Sequence, residues 1–229
     1  MDEKFYAVKI DVNKIKVVNG SGINTDQPLN CEKTHSSQPK CFVLIARLIK
    51  EKGIVDFLDA VEILRRDDDF NLLRVSFTIF GNYDKNNPSC LDKDNLEEKC
   101  KALDVKLLRY SPSLLQSVLE KHSHFVLPSY REGTSKALLE ACLSNLFPIV
   151  TDVPGCNNVV KNGISGLLFQ PRNPKDQSRA ILEACQLSSN ITQEMSNRAR
   201  SDVLKNFSEK TINKKMLELI STDESDEGE

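Results

Sequence analysis

Two cationic side chains stand at the junction between a predicted strand and a predicted helix. Arg47 follows the apolar run of residues 41–46 (CFVLIA), and Lys52 comes directly before Gly53. The first backbone N–H groups of a helix have no partners within the helix and favour anions, phosphate groups above all. A guanidinium and an ammonium beside them would complete a site for a diphosphate. The same residues are also compatible with solvated surface charges, and both interpretations stay open at this point.

Glu140 is the one charged residue in an otherwise apolar stretch, residues 137–143 (ALLEACL). A helix that is apolar on nearly all sides is buried, and a buried carboxylate is costly unless it accepts hydrogen bonds. The two neighbouring hydroxyls of a ribose could donate those bonds. Backbone amides or a nearby Lys or Ser of the chain could donate them equally well.

Glu132 lies eight residues before Glu140, ahead of the predicted helix. Gly133 lacks a side chain and would let a ligand approach the backbone, while Thr134 or Ser135 can cap the helix. Glu132 would therefore stand at the start of this helix, with Glu140 about two turns along it. On its own, an acid at this place is more typical of a first-turn residue that complements the helix dipole than of a catalytic group.

Short apolar runs alternate along the chain with segments that carry apolar residues at helical spacing. The runs are typical of strands buried on both faces. The alternation predicts an α/β fold, a doubly wound, Rossmann-like and mostly parallel sheet with helices on both faces. The predicted strands are residues 41–46, 75–80, 105–108, 124–127, 148–151 and 167–169, and the predicted helices are residues 54–66, 92–103, 113–121, 135–146 and two or three between 175 and 220.

In such a sheet, ligands bind outside the carboxyl ends of the strands. The polar residues that follow each strand are therefore the candidates for a site. Gly81 with Asn82 follows the strand at 75–80, and residues 129–133 follow the strand at 124–127. We expect these residues to lie with Arg47 and Lys52 along one edge of the sheet.

Composition divides the chain into four segments. Residues 1–40 contain a short predicted strand at 14–18 and a polar linker, and residues 41–205 hold the alternating strands and helices. Residues 206–220 are predicted to form a carboxyl-terminal helix. Residues 221–229 (STDESDEGE) form an acidic tail that we expect to be unstructured.

Charge, apolar run length and cysteine content together disfavour several classes of protein. The 229 residues carry 31 basic and 33 acidic side chains, a balance that disfavours a dedicated nucleic-acid binder. No apolar run approaches the roughly 20 residues of a membrane-spanning helix, and the first residues lack the layout of a signal peptide. Seven cysteines without a Cys-x-x-Cys pair then suit reduced thiols in the cytoplasm.

Several catalytic motifs do not occur. No Gly-x-Gly-x-x-Gly follows the first predicted strand of the sheet, which weakens a nicotinamide-dinucleotide interpretation. A nucleotide-hydrolysing phosphate loop is excluded, and the missing Gly-x-Ser-x-Gly disfavours one class of hydrolase. His122 and His124 have no acidic or thiol partner at metal-ligand spacing, so we expect one packed and one exposed histidine rather than a metal site.

Residues 127–156 (LPSYREGTSKALLEACLSNLFPIVTDVPGC) resemble the sugar-nucleotide donor site of glycosyltransferase family 4, retaining enzymes of the GT-B architecture. The Glu-x7-Glu pair of that family falls on Glu132 and Glu140. Residues 46–53 (ARLIKEKG) resemble its phosphate segment, and residues 162–169 (NGISGLLF) match its NGxxGxL turn. The resemblance covers about residues 41–185 and is greatest to capsule, O-antigen and other surface-polysaccharide transferases that use UDP-sugars.

This resemblance implies a role for each charged candidate. Arg47 and Lys52 would neutralise the donor diphosphate and stabilise the departing UDP. Glu140 would bind the ribose hydroxyls, and Glu132 would bind sugar hydroxyls near the reacting carbon.

The resemblance also implies contacts from the backbone. Amides of Gly133, Thr134 and Ser135 would meet the phosphates. Gly81 is a further candidate for this donor site, because it follows a predicted strand at the same edge of the sheet. Enzymes of this family generally need no divalent metal or other cofactor, because the two cations and the helix dipole do that work.

The chain departs from the family pattern in two respects. Asn158 stands where the family usually has a Glu, and only the carboxyl-terminal, donor-binding half of a GT-B enzyme is represented. Residues 14–27 (KIKVVNGSGINTDQ) resemble the crossover from the first half. The implied partners are therefore a UDP-sugar, an acceptor-binding half in cis or in trans, and a lipid-linked or glycan acceptor at the cytoplasmic face of a membrane. Without that half, apolar side chains of the last helix would be exposed, namely Ile212, Met216, Leu217, Leu219 and Ile220.

Three functions remain as alternatives. The first is the donor-binding half of a retaining glycosyltransferase, inactive by itself. The second is a non-catalytic nucleotide-binding or interaction module that kept the fold. The third is a non-hydrolysing epimerase, which shares the GT-B plan, although the Glu-x7-Glu pair favours the transferase.

Overall fold

Six strands form the sheet in a computed structural model that describes residue 18, residues 20–25 and residues 39–223, with side chains up to residue 219. The strands are β1 (Cys41–Ile45), β2 (Ser76–Gly81), β3 (Val105–Arg109), β4 (His124–Leu127), β5 (Phe147–Thr151) and β6 (Leu167–Phe169). The predicted strand at 14–18 and the linker at 24–40 lie almost wholly outside the described residues.

All neighbouring strands run parallel, in the order β3-β2-β1-β4-β5-β6. The predicted doubly wound α/β sheet is thereby confirmed. The chain winds outward from β1 in one direction and from β4 in the other, so the strand order reverses between these two central strands. Ligands of open α/β sheets bind at this reversal, beyond the carboxyl ends of the strands.

Eight α-helices connect and cover the strands within the described residues. They are α1 (Ile54–Arg65), α2 (Asp68–Leu72), α3 (Lys93–Ala102), α4 (Pro112–Lys121), α5 (Lys136–Leu143), α6 (Pro174–Gln186), α7 (Ser189–Asn206) and α8 (Glu209–Asp223). Side-chain oxygens of Asp92, Ser135 and Asn173 accept backbone N–H bonds at the starts of α3, α5 and α6. These caps satisfy N–H groups that the helices leave free.

One helix was not predicted, and two helices end at residues other than those predicted. Helix α2 was not expected, because its short acidic sequence has no helical periodicity; Asp67 caps it and Phe70 is its one buried residue. Helix α5 ends at Leu143 rather than at 146, since Asn145 adopts a left-handed conformation with φ of 60°. Helix α8 continues to Asp223, so residues 221–223, predicted as part of the tail, are helical.

The two faces of the sheet carry separate apolar clusters. Phe42 and Leu44 of β1 pack with α1, α2, α3 and α6 on one face. Val43 and Ile45 pack with α4, α5 and α7 on the other. Side chains alternate between faces along a strand, so one apolar run serves both clusters.

The last helix corrects one expectation about exposure. Met216 and Leu217 are exposed, as predicted, and the side chain of Ile220 lies outside the described residues. Leu219 is half-buried, and Ile212 is only 1% exposed. Its backbone N–H donates to Ser208, and Ser208 pairs with Ile23 in an isolated bridge. Among the described residues, no helix combines the length and the apolarity needed to cross a membrane.

Candidate functional site

The turn between β1 and α1 carries both predicted cations. A short 3-10 helix, Lys50–Lys52, occupies this turn and ends at Gly53, which has φ of 66°. A Cβ at Gly53 would lie 2.0 Å from the carbonyl oxygen of Pro128, just after β4. Only glycine fits this close approach and this backbone angle. Gly53 thereby brings the end of the Lys52 turn against the loop that carries Glu132.

Lys52 and Glu132 form an ion pair across the two central strands. The distance from Lys52 Nζ to Glu132 Oε1 is 2.5 Å, and the side chains are 19% and 9% exposed. The sequence predicted both residues for the site, and the structure brings them together. A lysine and a carboxylate that are mostly buried stabilise each other's charge.

Arg47 lies on the same turn but has a partner that was not predicted. Its Nη1 donates to Asp84 Oδ2 at 3.0 Å, and its side chain is 61% exposed. Arg47 also lines a cavity of about 250 Å³ together with Glu140 and Tyr110. Of the four predicted charges, Lys52 and Glu132 thus form an ion pair, while Arg47 and Glu140 line one cavity. Both features lie at the carboxyl edge of β1 and β4.

Glu140 faces that cavity from α5. Its side chain is 15% exposed, and Lys136 Nζ is 3.8 Å away. Within the described part of the chain, its carboxylate accepts no hydrogen bond. Burial raises the pKa of Glu140 above its ordinary value, and the charge of Lys136 opposes that rise. The sequence left open that groups of the chain itself donate hydrogen bonds to Glu140. Among the described residues, the one such group near its carboxylate is the ammonium of Lys136, 3.8 Å away.

The start of α5 is open on the side of Gly133. Nothing lies within 4 Å of a Cβ built on Gly133, so space for a ligand is present beside its backbone. Ser135 caps the helix through its Oγ, which accepts from Leu138 N at 3.4 Å. The side chain of Thr134 lies beside Gly20, where a Cβ built on the glycine would come within 2.9 Å of Thr134 Cβ.

Gly155 fixes the loop after β5 against the start of α5. A Cβ there would lie 1.5 Å from the carbonyl oxygen of Gly133, and its φ is 86°. Asn158, three residues further along, is exposed. The neighbouring Asn157 donates to Asp152 Oδ1 at 2.9 Å.

Gly81 ends β2 beside a second cavity of about 660 Å³ that includes Asn82 and Arg109. A Cβ on Gly81 would lie 2.1 Å from the carbonyl oxygen of Ala46, so the glycine is required for strand packing. Asn82 borders both cavities. Direct contact between Gly81 and a donor stays a prediction.

Tyr110 is a site residue that sequence reasoning missed. It follows β3, lines the Glu140 cavity and packs on Phe80 with ring centroids 5.0 Å apart. Burial raises the pKa of Tyr110, and the charge of Glu140 adds to that rise. The rule that polar residues after strands form the site would have found Tyr110, since it stands one residue beyond Arg109.

The two histidines are both packed, which corrects the expectation that one is exposed. His122 Nε2 lies 2.9 Å from Thr78 Oγ1, and its Nδ1 lies 2.6 Å from the carbonyl oxygen of Val118. His124 is 1% exposed and stacks on Phe42. Within the described residues, no group of three His, Cys, Asp or Glu side chains is placed to hold a metal ion. That donor binding needs no divalent metal stays a prediction.

Comparison with known proteins places this chain in a family. The family model described as "Glycosyl transferases group 1" matches residues 27–202. The chain is 30% identical over 180 residues to N,N'-diacetylbacillosaminyl-diphospho-undecaprenol alpha-1,3-N-acetylgalactosaminyltransferase of Campylobacter jejuni. That match covers 74% of this chain but 44% of the relative, so the chain spans less than half of the relative's length.

Solved structures show the same fold. A variant of TarM from Staphylococcus aureus, crystallised in a complex that includes UDP, superposes with a TM-score of 0.70 at 22% identity over 84% of this chain and 37% of TarM. The carboxyl-terminal domain of LpcC, a group 1 glycosyl transferase of Francisella tularensis, gives 0.65 at 20% identity, covering 82% of this chain and 99% of that domain. These neighbours and the family match agree on the GT-B type of fold. This chain belongs to the group 1 glycosyl transferases.

Proposed function

We propose that this chain binds a UDP-sugar as the donor-binding half of a retaining glycosyltransferase that makes a cell-surface polysaccharide or glycan. Family membership supports transfer of a sugar. The Campylobacter relative is named for transfer to an undecaprenol-linked sugar, and the TarM structure contains UDP. The near-complete match to an isolated carboxyl-terminal domain supports the assignment to one half of such an enzyme.

The observation that carries this proposal is the state of Glu140. A carboxylate that is 15% exposed faces a cavity and, within the described residues, accepts no hydrogen bond. The side chain keeps some contact with solvent, but a mostly buried carboxylate is stabilised when further hydrogen-bond donors reach it. The vicinal hydroxyls of a ribose would supply two donors at once, and the pKa of Glu140, raised by burial, would then fall.

The remaining groups suit the rest of the donor. The diphosphate would lie between Lys52 and the open start of α5, where the amides of residues 133–135 and the helix dipole favour an anion. Arg47 would turn from Asp84 to the same phosphates. Glu132 would then exchange part of its bond to Lys52 for sugar hydroxyls.

This arrangement can assist departure of UDP. Positive groups that are already placed stabilise the charge that develops on the leaving diphosphate, and a dry cleft strengthens the effect. Closing that cleft needs an acceptor-binding half in cis or in trans. Alone, the chain would bind UDP without transferring sugar, and no divalent metal would be required.

Titration with UDP, by calorimetry or by NMR, tests donor binding. We expect Glu140→Gln and Lys52→Ala to weaken binding about tenfold each, because each removes a charge-assisted hydrogen bond. The control for Glu140→Gln is Glu183→Gln, at a glutamate that pairs with Arg179 on α6. The control for Lys52→Ala is Lys121→Ala, at the end of α4 and the opposite edge of the sheet. Absence of UDP binding, or equal effects in the controls, would contradict the proposal. Titration with and without a chelator tests the expected independence from metal.

A non-catalytic module is the second candidate, and Asn158 favours it. The family usually has an acid at this place, and here an exposed amide stands there. Supplying the acceptor half of a related enzyme in trans separates the two functions. Restored transfer supports a glycosyltransferase subunit acting on a lipid-linked or glycan acceptor at the cytoplasmic membrane face. Intact UDP binding without transfer supports the module.

A further inference from the structure

The loop of residues 82–92, between β2 and α3, is bound to the turn that carries Arg47 and Lys52. Leu48 donates its backbone N–H to Asn82, Lys50 donates to Ser89, and Leu91 donates to Leu48, each at 2.9 Å. Three backbone bonds hold this 82–92 loop beside the 3-10 helix. The turn therefore depends on the loop for its position.

Glu51, inside the 3-10 helix, continues this connection through its side chain. Ser89 Oγ donates to Glu51 Oε1 at 2.7 Å. That hydrogen bond is the main cause of a lowered pKa for Glu51, and the charge of Arg131 lowers it further. A carboxylate that stays ionised and bonded keeps the 82–92 loop attached to the turn.

The backbone of Glu51 connects the turn to a third segment. Its carbonyl oxygen accepts from Tyr130 N at 2.9 Å, in the loop between β4 and α5. This bond lies close to the ion pair of the site, because Lys52 directly follows Glu51 and its partner Glu132 lies two residues beyond Tyr130. One residue thus joins the 82–92 loop, the cation-bearing turn and the loop that carries Glu132.

We propose that Glu51 is a positioning residue of the donor site, which holds Lys52 opposite Glu132 through its bonds to Ser89 and Tyr130. This inference rests on the proposed function, since it assumes that Lys52 meets the donor diphosphate. Glu51 itself touches no donor. Its loss would leave the fold intact and displace the ammonium, so binding of phosphates would suffer and binding of the nucleoside would not.

The test compares UDP with uridine as NMR titrants of the whole chain. Glu51→Ala and Ser89→Ala should each weaken UDP binding by up to about tenfold, because the bond that each variant removes limits how firmly Lys52 is held in its binding position. The affinity for uridine should change by less than about twofold, or roughly 0.4 kcal/mol. Uridine has no phosphate, so it makes no contact that depends on the position of Lys52. Glu51→Gln, whose amide oxygen can still accept from Ser89, should recover most of the affinity. Ser201→Ala on α7 is the control hydroxyl.

The double variant Glu51→Ala with Ser89→Ala completes the design. Because both changes break one bond, their effects on UDP binding should not add. Three results would overturn this inference and leave the proposed function standing. They are additive losses of UDP affinity, equal losses of affinity for UDP and uridine, and unchanged UDP affinity in both single variants. Failure of the unaltered chain to bind UDP would overturn the proposed function and this inference with it.

Discussion

The pair of Lys52 and Glu132 allows a quantitative test of the site, because removing one member leaves the other as an isolated charge. The side chains are 19% and 9% exposed, with Nζ and Oε1 2.5 Å apart. Breaking a fully buried pair in this way costs about 3–5 kcal/mol. The lysine keeps some contact with water, so we expect Lys52→Met to lower the free energy of unfolding by about 2–3 kcal/mol.

A double-mutant cycle separates this charge effect from packing. Lys52→Met with Glu132→Gln leaves no isolated charge, so the double variant should be more stable than Lys52→Met alone by about 1–2 kcal/mol. Urea unfolding followed by circular dichroism measures each value, provided that the slopes agree. The matched weak pair is Lys136 with Glu140, 3.8 Å apart with the lysine 77% exposed, where coupling should stay below about 0.5 kcal/mol. Additive effects at Lys52 and Glu132 would refute the reasoning.

Three further changes have defined outcomes. Burial raises the pKa of Glu140 above its ordinary 4.5, so the folded state loses stability as pH rises from about 4.5 through the raised pKa. Glu140→Gln should remove this loss, so that urea unfolding at pH 7 shows the variant to be more stable than the unaltered chain. An unchanged dependence of stability on pH would contradict the raised pKa of Glu140. Gly53→Ala should unfold the chain or cost about 3 kcal/mol, because its Cβ would lie 2.0 Å from the Pro128 carbonyl oxygen. Gly133→Ala should stay within about 0.5 kcal/mol in stability yet weaken UDP titrations, because its Cβ meets only open space; unaltered UDP affinity there would place the phosphates elsewhere.

Much of the fold could be predicted because its strands are buried on both faces. The run at 41–46 is uninterrupted by polar residues, and β1 contributes alternate side chains to both apolar clusters. The edge rule for parallel sheets predicted that Arg47, Lys52 and Glu132 lie along one edge without any knowledge of the packing, and Lys52 and Glu132 do meet there. Those predictions needed only local patterns and a general topology.

The partners of these charges could not be predicted in the same way. Asp84 and Ser89 lie in the 82–92 loop, whose path depends on backbone bonds to a turn more than thirty residues earlier. No periodic signal marks such bonds. His124 was hard to place for a related reason, since stacking on Phe42 depends on how two neighbouring strands align. Sequence patterns predict which residues are buried better than they predict which residues they meet.

The arrangement of partners has a consequence for binding. Arg47 is paired with Asp84 and Lys52 with Glu132, so a diphosphate must exchange existing bonds rather than meet free cations. Such exchange reduces the net gain from each cation, because part of every new bond replaces an old one. Glu140 differs, since within the described residues its carboxylate has no hydrogen bond to give up. Ribose recognition should therefore add to the affinity for UDP without this offset, while the cations both bind UDP and stabilise the charge that develops on the departing diphosphate.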